Sequence, residues 1–262
     1  MEQKVDPLAM IGWGTLLMPA LTMWHEIGGH AAFCAGQGGH VATIGAFYVK
    51  CTGLSGVHDV LVACGGVLAN VLLAALAFFC WRCAIGVVWR LVSWLIWVSE
   101  SFVAAGYFLF SGVTGFGDLG VGNGGSLAGA PFPIPFRVAE AIIGGGAYFL
   151  LVRAAIRSLN GMIGTGPDSR SSRRRIAHIY YATAGFCAVV VGLANPVGIV
   201  ITVMSAAAST FGGLAGFISI GYASVNSGEA KPYVVNRNWT VIGCGLFVLA
   251  AFAIVLGPSR HF

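Results

Sequence analysis

Two histidines and a glutamate lie within six residues of an apolar stretch near the N-terminus, LTMWHEIGGHAAF (21–33). Neutral imidazoles bind divalent metals such as zinc, and a neighbouring carboxylate can act as a general base on a metal-activated water. Ionisable groups inside an apolar segment are costly and usually functional. The stretch therefore predicts a zinc site with His25 and His30 as metal ligands and Glu26 as the catalytic base.

The spacing of the two histidines sets a condition on the helix that carries them. In a regular α-helix, residues five apart point about 140° away from each other and cannot share one ion. A π-helical turn brings positions i and i+5 nearly into register, and such turns often occur at functional sites. Gly28 and Gly29 offer little steric resistance to it. We therefore expect a locally widened or broken helix at 27–29.

A metal site of this kind needs a third protein ligand. The candidates outside the stretch are Asp118, His40, His58, Asp59, Glu100 and Glu140. Asp118 lies in a glycine-rich run without cations, SGVTGFGDLGVGNGGSLAGA (111–130), and irregular backbone at membrane depth is tolerated where it lines a cavity. A loop aspartate that caps a turn is the other interpretation.

The remaining candidates have less specific surroundings. His40 and His58 flank a loop with alternating apolar and polar residues, which predicts a short hairpin at the membrane interface near 40–56. Both are alternative ligands. Glu100 lies inside an apolar run and could instead hydrogen-bond to a ligating histidine.

The composition determines which elements can position these residues. The chain of 262 residues is 57% hydrophobic and 9% charged, whereas soluble domains carry roughly 25% charged residues. We expect one integral membrane domain, 1–262, folded as an all-α polytopic transmembrane bundle of about six or seven spans. The apolar runs that predict the spans are 8–34, 59–81, 91–113, 134–156, 176–194, 197–223 and 239–257.

The basic residues predict the orientation of these spans. Lys50, Arg137 and Arg260 fall on one side of a seven-span arrangement, and the other eleven of the 14 lysines and arginines fall on the opposite side with the N-terminus. Because positive charge favours the cytoplasmic side, we expect a cytoplasmic N-terminus, in a bacterial inner membrane. The run Arg170–Arg175 is expected to contact anionic lipid headgroups rather than nucleic acid.

The chain has seven cysteines, an odd number, and most of them lie in apolar segments. We expect them to be small buried hydrophobic residues. Cys80 and Cys83 form a single CxxC, which is a weak metal or redox signal without a second such pair.

Three features together resemble the site-2 protease family of intramembrane zinc metalloproteases, in particular its small bacterial branch. They are the His/Glu/His motif of 25–30, the segment GGVLANVLLAALAFF (65–79) with its Gly66-x-x-x-Asn70 pattern, and the later Gly-flanked Asp118. The resemblance covers about residues 15–125, and 134–262 would form a C-terminal helical extension.

The resemblance implies a site and an activity. His25, His30 and Asp118 would hold the zinc, and Glu26 would be the general base. Asn70 would lie near the site and bind substrate or water, although an asparagine in a span can equally join two helices. The protein would hydrolyse peptide bonds within the membrane, in a membrane protein or a lipid-linked substrate.

Two other functions remain open from the sequence. One is a membrane oxygenase with two irons, since His25 and His30 also read as HxxxxH, but the chain has no HxxHH pair and only six histidines. The other is a non-enzymatic membrane scaffold or binding protein that retains a degenerate metal motif.

Overall fold

The computed structural model describes residues 2–122, 125–199, 201–223 and 228–262. The helices in these ranges are α1 (Pro7–Gly36), α2 (Val57–Cys83), α3 (Val87–Thr114), α4 (Pro133–Ile163), α5 (Ser169–Gly192), α6 (Gly216–Tyr222) and α7 (Trp239–Val255). The helix α1 contains a π-helical segment, Trp24–Ala31, and α5 contains another, Arg175–Ile179. A further π-helical segment, Ile201–Gly212, precedes α6.

The prediction of an all-α membrane bundle is confirmed. Within the described ranges, α1 to α5 are long and apolar enough to cross a membrane, while α7 is a shorter apolar helix of 17 residues. The apolar run predicted over 197–223 is divided between the π-helical segment and α6. Among the described residues there are therefore five long candidate spans, where the hydropathy pattern predicted six or seven.

The ends of the helices follow local chemistry. Asp6 caps α1, because its carboxylate accepts hydrogen bonds from the backbone N–H groups of Leu8 at 2.9 Å and Ala9 at 3.2 Å. The helix α3 ends just before Gly115, whose φ of +77° is the left-handed conformation that glycine adopts readily. The glycine-rich loop begins where this helix ends.

The third helix lies at the centre of the bundle. Its fully buried side chains recur three or four positions apart and include Leu91, Trp94, Val98 and Phe102, which is the spacing of one helical face. Hydrogen bonds accompany this packing, since Trp94 Nε1 donates to Ser158 Oγ at 2.8 Å. The central position of α3 lets its middle turns contact groups from several helices.

One end of the bundle joins the chain's first residues to a later segment. The strand β1 (Gln3–Val5) pairs in parallel with β4 (Tyr233–Val235). Arg237 Nη2 lies 3.2 Å from Asp6 Oδ2, and Arg175 Nη1 donates to the carbonyl of Val5 at 3.0 Å. Basic residues assigned to the N-terminal side by the charge pattern therefore meet at this end.

The opposite end carries the hairpin predicted near 40–56. The strands β2 (His40–Ile44) and β3 (Val49–Thr52) are antiparallel, with an irregularity between Val41 and Thr43. A third strand, β5 (Arg260–His261), pairs with the free side of β2. No local pattern predicts this third strand, because its partner lies far away in the chain.

The prediction for the cysteines is wrong for most of them. Cys34, at the end of α1, forms a disulfide with Cys51 in β3. The hairpin folds back onto α1, which brings the two Cα atoms to 5.9 Å. Of the free cysteines, Cys187 is buried, Cys64 is half-buried, and the rest are exposed on the outer faces of helices.

We expect loss of this disulfide to loosen the hairpin. The bond closes a loop with a sequence separation of 17, so Cys51→Ser should lower the free energy of unfolding by about 3 kcal/mol. Denaturant titration in detergent micelles measures this, with Cys80→Ser as the matched control. Equal stability of both variants, or alkylation of Cys51 without reductant, would contradict the assignment.

Candidate metal centre

The widened turn of α1 brings the two histidines together, as predicted. The segment Trp24–Ala31 is π-helical, and the Nε2 atoms of His25 and His30 lie 3.1 Å apart. Trp24 fixes the turn against α2, because its Nε1 donates to the carbonyl of Ala69 at 2.7 Å. The π-helical backbone thus lets two histidines five residues apart face one point, which a regular α-helix would not allow.

Close contact with α2 is required for this arrangement. A Cβ added to Gly66 would lie 2.6 Å from Nε2 of both His25 and His30, and a Cβ on Gly29 would lie 2.5 Å from Cα of Gly66. Contacts this short are not tolerated without displacement of the neighbour. Gly66 and Gly29 therefore let the two helix backbones meet where the imidazoles converge.

The partners of the histidines set which ring nitrogen is free. His30 Nδ1 lies 2.8 Å from the carbonyl of Val62, which can only accept a hydrogen bond, so Nδ1 carries the proton. His25 Nδ1 lies 3.0 Å from the side-chain amide of Asn70. With both Nδ1 atoms donating, both Nε2 lone pairs face one point, which is the arrangement of two metal ligands.

Asp118 completes the group. Its Oδ2 lies 3.4 Å from His30 Nε2 and 4.0 Å from His25 Nε2. The chain returns to α1 through a turn in which Gly115 and Gly117 have φ values of +77° and +94°. The ligand atoms of the three residues all lie within 4.8 Å of one another, so this group can hold a metal ion.

The ionisation of Asp118 suits a ligand. This residue lies in the loop after α3, where burial alone would raise the pKa of its carboxyl group. When His30 is protonated at Nε2 as well, its hydrogen bond and charge, with a further contribution from His25, outweigh burial and lower the pKa of Asp118 below its ordinary value. Asp118 is therefore held as a carboxylate, the form that binds metals.

Glu26 is positioned beside this group without a partner of its own. Its side chain is buried, and Oε2 makes no hydrogen bond to any of the described residues. A buried polar atom without a partner is rare and calls for a ligand, a water or a chemical role. Glu26 lines the cavities on both sides of the metal group.

The larger cavity has a volume of about 990 Å³ and opens beside Glu26, His30 and Asp118. Its walls come from α2, α3, the hairpin, the glycine-rich loop, α4 and the end of the π-helical segment before α6. None of the described lining residues is a lysine or an arginine. The cavity is thus large enough for an extended peptide segment. The groups around the ligands His30 and Asp118 and the base Glu26 are acidic or neutral.

The smaller cavity, of about 60 Å³, is also lined by Glu26, together with His25. Its polar lining includes Asn70, Ser99, Glu100 and Tyr180. Ser99 Oγ and the Tyr180 hydroxyl are hydrogen-bonded at 2.9 Å. A cavity of this size with several polar groups in its lining can hold water.

The other candidate ligands do not join the metal group. His40 is exposed and its Nε2 lies 3.3 Å from the carbonyl of Phe262, while His58 Nδ1 lies 2.8 Å from Gln37 Oε1. Asp59 is exposed at the edge of the larger cavity, and Glu140 is buried in α4. Glu100 lies beside Asn70 rather than at the ligand atoms.

Tyr107 was not predicted from the sequence. Its ring stacks on His25 with centroids 4.8 Å apart and an interplanar angle of 10°, and it lines both cavities. Tyr107 lies two helical turns after Glu100 on α3, so both residues share one face. The shared face of α3 was the signal available in the sequence. It indicates a contact with His25 only once the packing of α1 against α3 is known.

Comparisons with protein families, with curated proteins and with solved structures returned no match for this chain.

We expect Gly66→Ala to weaken metal binding by about tenfold or more, since the added methyl group displaces both imidazoles from their shared point. Competition with a chromogenic chelator measures the affinity. Gly146→Ala is the control, because a Cβ at Gly146 meets nothing within 4 Å. An unchanged affinity in the Gly66 variant would show that no ion is bound between the two rings.

Proposed function

We propose that the protein is an intramembrane zinc-dependent hydrolase that cleaves peptide bonds of membrane-embedded substrates. The observation that carries the proposal is the unpartnered Glu26 carboxylate beside the group His25, His30 and Asp118 at the wall of a large cavity. A buried base next to three convergent ligands at such a wall is the arrangement that metal-assisted hydrolysis requires.

Zinc fits this donor set best. Two imidazole nitrogens and one carboxylate oxygen are the ligands of many catalytic zinc sites, which keep a fourth position open. Nitrogen ligands of a tetrahedral zinc ion lie about 3.3 Å apart, close to the 3.1 Å between the two Nε2 atoms. A bound zinc ion supplies Lewis acidity, which polarises the substrate carbonyl and makes water acidic enough to ionise near neutral pH.

Glu26 supplies the proton transfers. Its free oxygen can accept a proton from the attacking water as the water oxygen bonds to the substrate carbonyl carbon. The same carboxyl group can then give that proton to the leaving nitrogen as the carbon–nitrogen bond breaks. The smaller cavity beside Glu26 can hold the replacement water.

Tyr107 is suited to stabilise the charge that develops on the carbonyl oxygen. Asn70, expected from the resemblance to serve substrate or water, has its amide directed to His25 and Glu100. The Tyr148 hydroxyl of the same cavity is engaged, since it donates to the carbonyl of Gly213 at 2.7 Å. Tyr107 lines the cavity in ring contact with a ligand, so its hydroxyl group is the donor that we assign to the developing oxyanion.

The lining of the larger cavity bears on the substrate. Lipid-linked phosphates need cations, and none lines the cavity in the described residues. Neutral peptide backbone suits it better. The hairpin residues Phe47–Val49 line the cavity, and β3 has one strand edge that a peptide could pair with.

The two ends of the bundle support one orientation in the membrane. The basic residues around β1 favour a cytoplasmic N-terminus, as in a bacterial inner membrane. The disulfide at the hairpin end agrees, because disulfides persist in oxidising compartments. The exposed Arg170 and Arg174 would then meet anionic headgroups on the cytoplasmic side.

The alternatives make different demands on metal content. An oxygenase with two irons needs a second set of ligands, whereas the described residues form one group of three. A scaffold with a degenerate motif has no need for the unpartnered Glu26 carboxylate. Elemental analysis of purified protein separates the three, since one zinc per chain, two irons or no metal are the respective expectations.

We expect Glu26→Gln to abolish turnover while one zinc per chain stays bound, because the amide cannot accept the water proton. His25→Ala and Asp118→Ala should each lose the metal. Fluorogenic transmembrane peptide reporters in proteoliposomes measure turnover, beside metal analysis of the same samples. Residual turnover near the wild-type rate in Glu26→Gln would refute the assigned base.

Tyr107→Phe keeps the ring on His25 and removes only the hydroxyl group. We expect kcat to fall about 100-fold, with KM and metal content unchanged, as for loss of one donor to a developing oxyanion. Tyr148→Phe is the control for a hydroxyl engaged elsewhere. A fall in metal content, or equal effects of the two variants, would show that the Tyr107 hydroxyl is structural.

A further inference from the structure

Among the described residues that line the larger cavity, Asp59 is the one acidic side chain that the metal site does not use. The other two are Glu26 and Asp118, which serve as base and ligand. Asp59 is exposed and takes part in none of the ion pairs between the described residues. The neighbouring His58 is directed to Gln37, with Nδ1 2.8 Å from Oε1. The Asp59 carboxylate is therefore available to a substrate in the cavity.

Asp59 lies on the face of α2 that carries the metal group. Val62, whose carbonyl accepts from His30 Nδ1 at 2.8 Å, follows it by three positions, and Gly66, against which both imidazoles pack, by seven. Residues with this spacing share one helical face. Seven residues of α-helix rise about 10 Å, and an extended peptide advances about 3.3 Å per residue. The Asp59 carboxylate is thus within reach of a substrate side chain about three residues from the cleaved bond.

The cations at the hairpin end of the bundle do not balance this charge. Val49 lines the cavity, and successive residues of a strand point to opposite faces, so Lys50 points away from it. Arg137 donates to two carbonyls at the end of α3, and Arg260 donates to the last carbonyl of α7. A counter-charge for Asp59 therefore has to come from the substrate.

The charge of the whole cavity points in the same direction. None of the described lining residues is a lysine or an arginine, whereas three carboxyl groups border the cavity. A cleft lined by one sign of charge attracts the opposite sign. A divalent ion at the metal group would offset the charges of Glu26 and Asp118, but Asp59 lies about two helical turns away from that group.

We propose that Asp59 selects substrates that carry a lysine or an arginine about three residues from the cleaved bond. The inference rests on the proposed hydrolase function and deepens it, because it names the chemistry of the substrate at one position. The pair forms at the solvated edge of the cavity, where ion pairs contribute little, so the preference should be about two- to fivefold in kcat/KM.

Reporters that differ in one side chain test this preference. A fluorogenic transmembrane peptide carries Lys, Gln or Glu at each position two to four residues from the cleaved bond, on either side in turn. In phosphatidylcholine proteoliposomes, wild-type protein should cleave the Lys reporter with a kcat/KM about two- to fivefold above that of the Gln reporter at one of these positions. The Glu reporter should be cleaved more slowly than both. The differences should shrink as salt is added, because exposed ion pairs are screened.

Reversing the charge of Asp59 should reverse the preference. Asp59→Asn should cleave the three reporters with equal kcat/KM, and Asp59→Lys should favour the Glu reporter. An acidic residue in the first turn of a helix also interacts with the helix dipole, so the control has to remove such a charge elsewhere. Asp168→Lys does this, because Asp168 is an exposed aspartate at the N-terminus of α5, outside the cavity lining. It should keep the preference for Lys.

The outcomes separate this inference from the proposed function. Wild-type protein that cleaves none of the reporters would overturn both. Wild-type protein that cleaves all three with equal kcat/KM at every position would overturn the role of Asp59 alone. A preference for Lys that persists in Asp59→Asn, or that is lost equally in Asp168→Lys, would also overturn it. If Asp59→Lys fails to fold, the isosteric Asp59→Asn decides.

Discussion

The meeting of two imidazole nitrogens at 3.1 Å is the interaction on which the rest of the site depends. It requires one widened turn in α1, since a regular helix would turn the rings apart. It also requires a neighbouring helix without side chains at the point of contact, which Gly66 provides. The paired lone pairs would repel each other without a cation or proton between them, so the helix packing creates a demand for one.

The same site shows how polar groups are accommodated inside an apolar bundle. Each ring nitrogen that faces away from the shared point has an acceptor, either the Val62 carbonyl or the Asn70 amide. Because buried polar groups without partners are costly, the exceptions are informative. The free oxygen of Glu26 is such an exception, and it borders both the large cavity and the small one.

The features that sequence could predict are those set by short spacing. The widened turn followed from the separation of His25 and His30, and the hairpin followed from alternation along 40–56. Asp118 was one of several candidate ligands, because only the glycine-rich context distinguished it. The disulfide of Cys34, the third strand β5 and the stacking of Tyr107 depend on docking between distant segments, for which local patterns carry no information. Asn70 was recognised by its motif, but its contact with Glu100 needed the packing of α2 against α3.

The strand β5 has a consequence for the order in which the molecule is assembled. All three candidate ligands lie in the first 118 residues, whereas the hairpin beside them is completed by Arg260 and His261. Tyr48 and Ser259, 211 positions apart, are hydrogen-bonded at 2.9 Å. During synthesis the three candidate ligands therefore emerge long before the strand that completes the sheet beside them, so this end of the bundle takes its final form only once residues 260–261 have been made.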